Sequence, residues 1–60
     1  MPIYINDQEY VTVREAQQIA QRSADTIRRW IKSGLVQAHK DKTNRWLIER
    51  KSLERVLAGE

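Results

Sequence analysis

Two neighbouring segments of the chain place apolar residues at the spacing of an amphipathic α-helix. In the first segment the apolar residues fall within an arc of about 120° on a helical wheel. They are Val13, Ala16, Ile19 and Ala20. Thr12 and Glu15 stand at the two positions of a capping box, which marks the start of a helix. The pattern therefore predicts a first helix from Val13 to about Gln21.

The second segment begins at Ser23, a residue type that caps helix N-termini well. Its apolar residues again share an arc of about 120°, and they are Ala24, Ile27, Trp30 and Ile31. The opposite face carries Asp25, Arg28, Arg29 and Lys32. We expect a second helix from Ala24 to Lys32, with Gly34 just beyond its end. Because the connection between the two helices is short, the pair is typical of a helix-turn-helix.

Downstream, the alternation of apolar and polar residues predicts a β-hairpin. Residues 35–40 and 45–48 are predicted strands, and the polar residues 41–44 form the turn between them. Trp46 and Ile48 share one face because side chains alternate along a strand, and we assign that face to the core. Leu47 is then expected to point outward.

The two ends of the chain carry shorter patterns. Residues 3–5 are β-branched and aromatic, which predicts a short strand or an extended arm within residues 1–9. Tyr10 and Val11 are candidates to pair back with it. A last helix is predicted from residue 51 or 52 to Ala58, with its apolar residues on one side. A length of 60 residues leaves room for a single domain, residues 1–60.

Positive charge is concentrated in the middle of the chain. The net charge is +3, but residues 22–46 contain seven Lys and Arg residues and only two Asp. The segment before them is acidic and the segment after them is neutral. Because the cations gather on one face of the second helix and at the tip of the hairpin, the distribution predicts a phosphate-binding surface rather than an evenly solvated one.

The composition argues against several other functions. The chain has no cysteine and a single histidine, so we expect no metal site and no cofactor. The histidine has no serine–acid pattern near it, and so short a chain encloses no pocket. We therefore expect neither catalysis nor a small-molecule ligand. No apolar run approaches the roughly 20 residues of a membrane span, and the N-terminus lacks the features of a secretory signal.

Three stretches of the sequence together resemble the excisionase and MerR-like winged helix-turn-helix proteins. They are YVTVREA (residues 10–16), DTIRRWIKSGLV (25–36) and NRWLI (44–48). The resemblance covers residues 10–57. It implies a mainly α fold with a small β-hairpin, in which a first helix, a recognition helix, a two-stranded wing and a C-terminal helix follow one another.

The resemblance also implies a function. In this superfamily the second helix enters the major groove of double-stranded DNA, and the wing contacts the neighbouring backbone or minor groove. MerR regulators continue into a long dimerising helix, and the end of this sequence at Glu60 favours the excisionase branch. Excisionases bend attachment-site DNA and direct an integrase towards excision. The expected partners are thus double-stranded DNA, a tyrosine-recombinase integrase and further copies on DNA, in the bacterial cytoplasm at the nucleoid.

Two alternatives stay open at this point. One is a small MerR-like transcriptional regulator without an effector domain, which would also bind repeated DNA sites. The other belongs to a different class, a protein–protein adaptor or an antitoxin. The salt dependence of DNA binding separates these classes, because only phosphate-driven binding weakens steeply as salt is added.

Thirteen residues form the predicted DNA-binding site. Those on the recognition helix are Ser23, Asp25, Thr26, Arg28, Arg29 and Lys32. Those on the wing are Lys40, Lys42, Thr43, Asn44 and Arg45, and those at the start of the first helix are Thr12 and Arg14.

Some residues of this set also have purely structural explanations. Capping and compensation of the helix dipole are the stronger explanation for Ser23 and Asp25. Arg28 and Arg29 point about 100° apart on a helix, so one is expected to read a base and the other to hold phosphate. Trp30 and Trp46 are assigned to the core rather than to DNA.

Overall fold

The computed structural model describes residues 3–59, which form three helices and four strands. In chain order these elements are β1 (Ile3–Ile5), β2 (Gln8–Thr12), α1 (Val13–Ala20), α2 (Ala24–Ser33), β3 (Ala38–Lys40), β4 (Trp46–Glu49) and α3 (Arg50–Ala58). All four strands belong to one antiparallel sheet, so the molecule is a mix of helices and strands. The predicted helix-turn-helix is confirmed, and the predicted hairpin is present as β3 and β4. The prediction of a mainly α fold is wrong, because this hairpin is half of a four-stranded sheet.

The additional strands come from the N-terminal segment. β1 and β2 form a hairpin whose turn residues, Asn6 and Asp7, have φ of 51° and 66°. Two-residue hairpin turns require such positive φ, and these residue types adopt it readily. β2 then pairs with β4, which gives the strand order β1-β2-β4-β3. The predicted strand at residues 3–5 and its pairing with Tyr10 are confirmed, but Val11 pairs with Ile48 of β4 instead. Residues 1 and 2 of the predicted arm lie outside the described residues.

Local capping signals set the ends of the first two helices. Thr12 Oγ1 accepts a hydrogen bond from Glu15 N, and the Glu15 carboxylate accepts one from Thr12 N, which completes the predicted capping box. Ser23 Oγ accepts a hydrogen bond from Thr26 N at the start of α2. α2 ends at Gly34, whose φ of 83° favours glycine. Within residues 3–59 no helix is long and apolar enough to cross a membrane.

The core lies between the three helices and one face of the sheet. Its largest fully buried side chains include Ile27 of α2, Ile48 of β4 and Leu53 of α3. Ala16 and Ala20 of α1 are buried with them, and such small side chains let α2 approach α1 closely. The core therefore fixes the position of α2 through Ile27, the residue directly before Arg28.

The segment that leads from α2 into β3 is only partly extended. The prediction of a strand over residues 35–40 is only partly right, because β3 covers Ala38–Lys40. The backbone N–H groups of Leu35 and Val36 both donate to the Trp30 carbonyl oxygen, at 3.0 and 3.4 Å. These bonds hold the chain against the end of α2, so the strand begins three residues later than predicted.

The expected assignment of side chains along β4 is partly wrong. Ile48 is fully buried as predicted, but Trp46 is only half-buried and lies outside the core cluster. Leu47 points to the sheet face away from the helices, yet it is only 6 % exposed. The rings of Tyr10 on β2 and His39 on β3 approach to 5.8 Å. Because β4 lies between those two strands, the rings lean across it and cover Leu47.

Candidate nucleic-acid interface

One surface groove brings together residues of α1, α2 and the wing, which we define as β3, β4 and the turn between them. The volume of this groove is about 380 Å³. Its lining residues are Thr12, Val13, Arg14, Arg28, Asn44, Arg45 and Trp46. Five of the thirteen predicted site residues therefore meet here, from three separate parts of the sequence. We call this feature the arginine groove.

The arginine groove is lined by positive charge alone. Among the described residues, its lining includes three arginines and no carboxylate, and none of these arginines forms an ion pair. Arg50 of α3 provides the contrast, since its guanidinium lies 3.0 Å from a Glu9 carboxylate oxygen and 3.6 Å from one of Glu54. The Glu9 carboxylate also raises the pKa of Arg50. The three arginines of the groove, unlike Arg50, thus have no carboxylate partner among the described residues and can bind an anion.

The start of α1 forms one wall of the groove. Thr12 serves mainly as a cap, because its hydroxyl and its backbone N–H are both engaged by Glu15. The N–H groups of the first helical turn have no partners within the helix, as at any helix N-terminus. They add a partial positive charge beside the exposed guanidinium of Arg14. This wall therefore suits a phosphate group.

The polar face of α2 begins at the groove and extends away from it. Arg28 lines the groove, whereas Asp25, Arg29 and Lys32 are exposed but do not line it. On a helix of 3.6 residues per turn these three lie about 40° to 100° from Arg28, all on the same side. Arg28 therefore marks the edge of the face, and Arg29 lies at its other limit.

Ser23 and Thr26 have a structural role that occupies their hydroxyl groups. Ser23 Oγ accepts from Thr26 N at 3.3 Å and lies 3.2 Å from Thr26 Oγ1. Thr26 is half-buried, and neither residue lines the arginine groove. The geometry agrees with the capping role of Ser23 and does not bring either residue to the cations.

The wing supplies a second wall through Trp46 and the residues around it. The ammonium group of Lys40 lies 5.1 Å from the ring centroid of Trp46, and the two residues are direct partners across β3 and β4. A cation over an indole face is attracted to the ring. Trp46 thus holds Lys40 beside the groove, while Lys42 is exposed at the turn.

The turn of the wing is organised by a residue outside the predicted site, Asp41. One oxygen of its carboxylate accepts hydrogen bonds from Thr43 N and Arg45 N, both at 2.9 Å, and from Thr43 Oγ1 at 2.7 Å. The Thr43 hydroxyl first, and then the backbone N–H of Arg45, hold the pKa of the Asp41 carboxyl below its usual range. Asn44 completes the turn with a φ of 68°.

A family comparison agrees with this geometry. The sequence profile of a family described as a helix-turn-helix domain matches residues 10–60. The chain belongs to this helix-turn-helix family. No curated protein and no solved structure gives a significant match to it.

The family is a DNA-binding one, and membership supports sequence-specific binding of double-stranded DNA by this helix-turn-helix domain. In DNA-binding helix-turn-helix proteins the second helix enters the major groove, and α2 holds that position in this chain. The thirteen predicted residues remain predictions for the individual contacts. The structure brings five of them together, at the arginine groove.

Sequence reasoning missed two residues of this helix-turn-helix domain. Trp46 was assigned to the core because it alternates in phase with Ile48, and no local signal distinguishes a half-buried from a buried indole. Asp41 had a signal, since an acidic residue followed two positions later by threonine can form a hydrogen-bonded turn. Both residues shape the wall of the groove that the wing provides.

Proposed function

We propose that this helix-turn-helix domain is an excisionase-like architectural protein of the MerR-like winged type. It binds specific sites on double-stranded DNA, bends them and directs an integrase towards excision. The observation that carries the proposal is the arginine groove, where α1, α2 and the wing present three arginines and, among the described residues, no carboxylate to one shared space. The family to which the chain belongs includes excisionase-like proteins, which supports this branch.

In this proposal the arginine groove holds the DNA backbone. Arg14, Arg28 and Arg45 contact phosphates, which fix the position of the domain on the duplex without reading sequence. α2 then enters the major groove, and its outward residues Asp25, Arg29 and Lys32 face the bases. Arg29 is the base-reading arginine, since arginine binds the O6 and N7 atoms of guanine through two hydrogen bonds.

Bending follows from the one-sided arrangement of charge. The cations of α1, α2 and the wing neutralise phosphates on one side of the duplex only, which favours curvature towards the protein. Bending a site by tens of degrees costs on the order of a few kcal/mol. Two or three copies on adjacent sites can meet this cost together, because contacts between neighbours raise affinity without new base readout. We therefore propose self-association on DNA and an integrase partner of the tyrosine recombinase class.

The remaining parts of the proposal concern what the protein does not do and where it acts. We propose that it is not an enzyme and that it works without a cofactor in the bacterial cytoplasm, at the nucleoid. A small MerR-like repressor would share the same DNA-binding face. The two roles differ in bending, which a repressor does not need.

Selection of binding sites from random duplex DNA, followed by footprinting, tests the DNA-binding part. Arg28→Ala is expected to weaken binding to all sequences to a similar degree, whereas Arg29→Ala should relax the preference at one base pair by about 1–3 kcal/mol. Lys51→Ala on α3 is the control and should leave the footprint unchanged. Normal footprints from both arginine variants would exclude α2 as the reading helix.

A circular-permutation assay on a fragment with several sites tests the architectural part. The mobility of the complex should depend on the position of the sites, and adjacent sites should fill together as protein is added. Independent filling of straight DNA would contradict the excisionase-like role and leave the repressor role in its place.

A further inference from the structure

Asp41 carries a negative charge in the element that is proposed to face DNA. It lies between Lys40 and Lys42 and is one of only two carboxylates in residues 22–46. Coulomb repulsion between this carboxylate and the DNA phosphates should weaken binding. Charge alone therefore predicts that removing Asp41 improves the affinity for DNA.

The hydrogen bonds of Asp41 indicate the opposite. Its carboxylate oxygen accepts from Thr43 N, Thr43 Oγ1 and Arg45 N, and its own backbone exchanges bonds with Asn44 N (3.0 Å) and the Arg45 carbonyl (2.9 Å). These bonds hold Asn44 at a φ of 68°, which L-amino acids other than Asn and Asp adopt at a cost. The carboxylate thus fixes the backbone of the whole turn.

The same carboxylate also reaches the side chain of Arg45 through a second residue. The Thr43 hydroxyl donates to Asp41 at 2.7 Å and accepts from Arg45 Nε at 3.2 Å. A hydroxyl has one proton to donate, so its donation to Asp41 leaves its lone pairs directed at Arg45. The guanidinium is oriented through Nε, and its two terminal nitrogens remain available to an anion in the arginine groove.

We propose that Asp41 is a positioning residue for DNA binding, which aligns Arg45 with a backbone phosphate through the Thr43 hydroxyl. The inference rests on the proposed function, because it needs the wing to contact DNA. A preoriented arginine loses less side-chain freedom on binding than a mobile one, and this saving exceeds the repulsion from one solvent-screened carboxylate.

Three variants separate positioning from charge in a titration with duplex DNA. Asp41→Ala should bind about three- to tenfold more weakly, since one long side chain must then be immobilised on binding. Asp41→Asn keeps an acceptor oxygen in place and should bind at least as tightly as the wild type. Asp7→Asn is the matched charge control in the β1–β2 turn, where asparagine suits the φ of 66°. It should change the affinity less than Asp41→Ala does.

Thr43→Val keeps the test decisive if Asp41→Ala fails to fold. It removes the relaying hydroxyl but leaves both backbone N–H bonds to Asp41, and it should also weaken binding about three- to tenfold. Either loss should vanish in an Arg45→Ala background, because the two residues act through Arg45. In NMR spectra of the free protein, the Arg45 Nε–H signal should be slow to exchange in the wild type and in Asp41→Asn, but not in Asp41→Ala.

The outcomes distinguish this inference from the proposed function. If the wild type binds DNA and Arg45→Ala weakens binding, but Asp41→Ala binds more tightly, charge dominates and the positioning role is wrong. An equal loss with and without Arg45 would show that Asp41 acts only on the shape of the turn, which also overturns the proposal. If the wild type binds no duplex DNA, the proposed function fails and this inference fails with it.

Discussion

The same substitution, leucine to alanine, at three positions of different burial tests how the fold is packed. Leu53 is fully buried, Leu47 is 6 % exposed on the opposite face of the sheet, and Leu35 is 57 % exposed. Burying and then truncating a leucine costs about 2–5 kcal/mol, and the value depends on how far the neighbours close the cavity. Leu53→Ala should therefore fall within that range, since helices and sheet surround the side chain.

Leu47→Ala should lower the free energy of unfolding by about 2 kcal/mol, at the low end of the range. Its cover includes the ring of His39, which is exposed and can therefore settle into the space beside the buried ring of Tyr10. Leu35→Ala should stay within about 0.5 kcal/mol of the wild type.

Urea denaturation followed by circular dichroism measures all three values. A domain of this length has a free energy of unfolding of about 3–9 kcal/mol, so the Leu53→Ala transition should already begin at low urea. The comparison of Leu47→Ala with Leu35→Ala is the critical one. If the two variants unfold at the same urea concentration, the outer face of the sheet is not packed and the reasoning from Tyr10 and His39 is refuted.

Three further predictions concern the groove and its supports. Trp46→Ala should remain folded and lose less free energy of unfolding than the about 3–5 kcal/mol expected for a buried aromatic residue. It should bind DNA more weakly in gel shifts. Complete unfolding of this variant would show that Trp46 is a core residue. In a Trp30→Phe background, the fluorescence of Trp46 should change when duplex DNA is added, and a constant signal would place DNA elsewhere. Thr12→Ala should lower the free energy of unfolding by about 1 kcal/mol through loss of the cap. Thr12→Ser should lose little in the same urea titration, and equal losses would show that the cap is not the cause.

The parts of the fold that could be predicted from the sequence depend on neighbouring residues. Thr12, Ser23 and Gly34 are signals of helix ends that act within one turn, and the structure places both helices within one residue of the predicted bounds. The pairing of Val11 with Ile48 is different, because it joins residues far apart in the sequence. No local pattern distinguishes an N-terminal arm from a strand that joins the wing.

The two faces of β4 show a second feature that the sequence pattern does not predict. Alternation places Trp46 and Ile48 on one side and Leu47 on the other, and this much is correct. Which side is buried depends on what covers it, and both sides are partly covered here. The rings that cover Leu47 belong to β2 and β3, so their effect appears only once the strand order is known.

The part of the candidate site that lies on a single helix could be predicted from the sequence. The part that is formed where several elements meet could not. The charged face of α2 follows from the helical period alone. The meeting of Arg14, Arg28 and Arg45 in one groove follows only from the packing of α1, α2 and the wing. That packing also separates Arg28 from Arg29, which the helical wheel could only place about 100° apart.

The salt dependence of binding to duplex DNA tests the central claim, that the arginine groove holds the DNA backbone. Arg28→Gln/Arg45→Gln removes two groove cations, and Lys51→Gln/Arg55→Gln removes two exposed cations from α3. Both double variants lower the net charge of +3 by the same amount. Each lost phosphate contact reduces the slope of log K against log salt by about 0.9. The account predicts a slope smaller by about 1.8 for the groove variant and an unchanged slope for the α3 variant. Equal slopes for the two variants would contradict it.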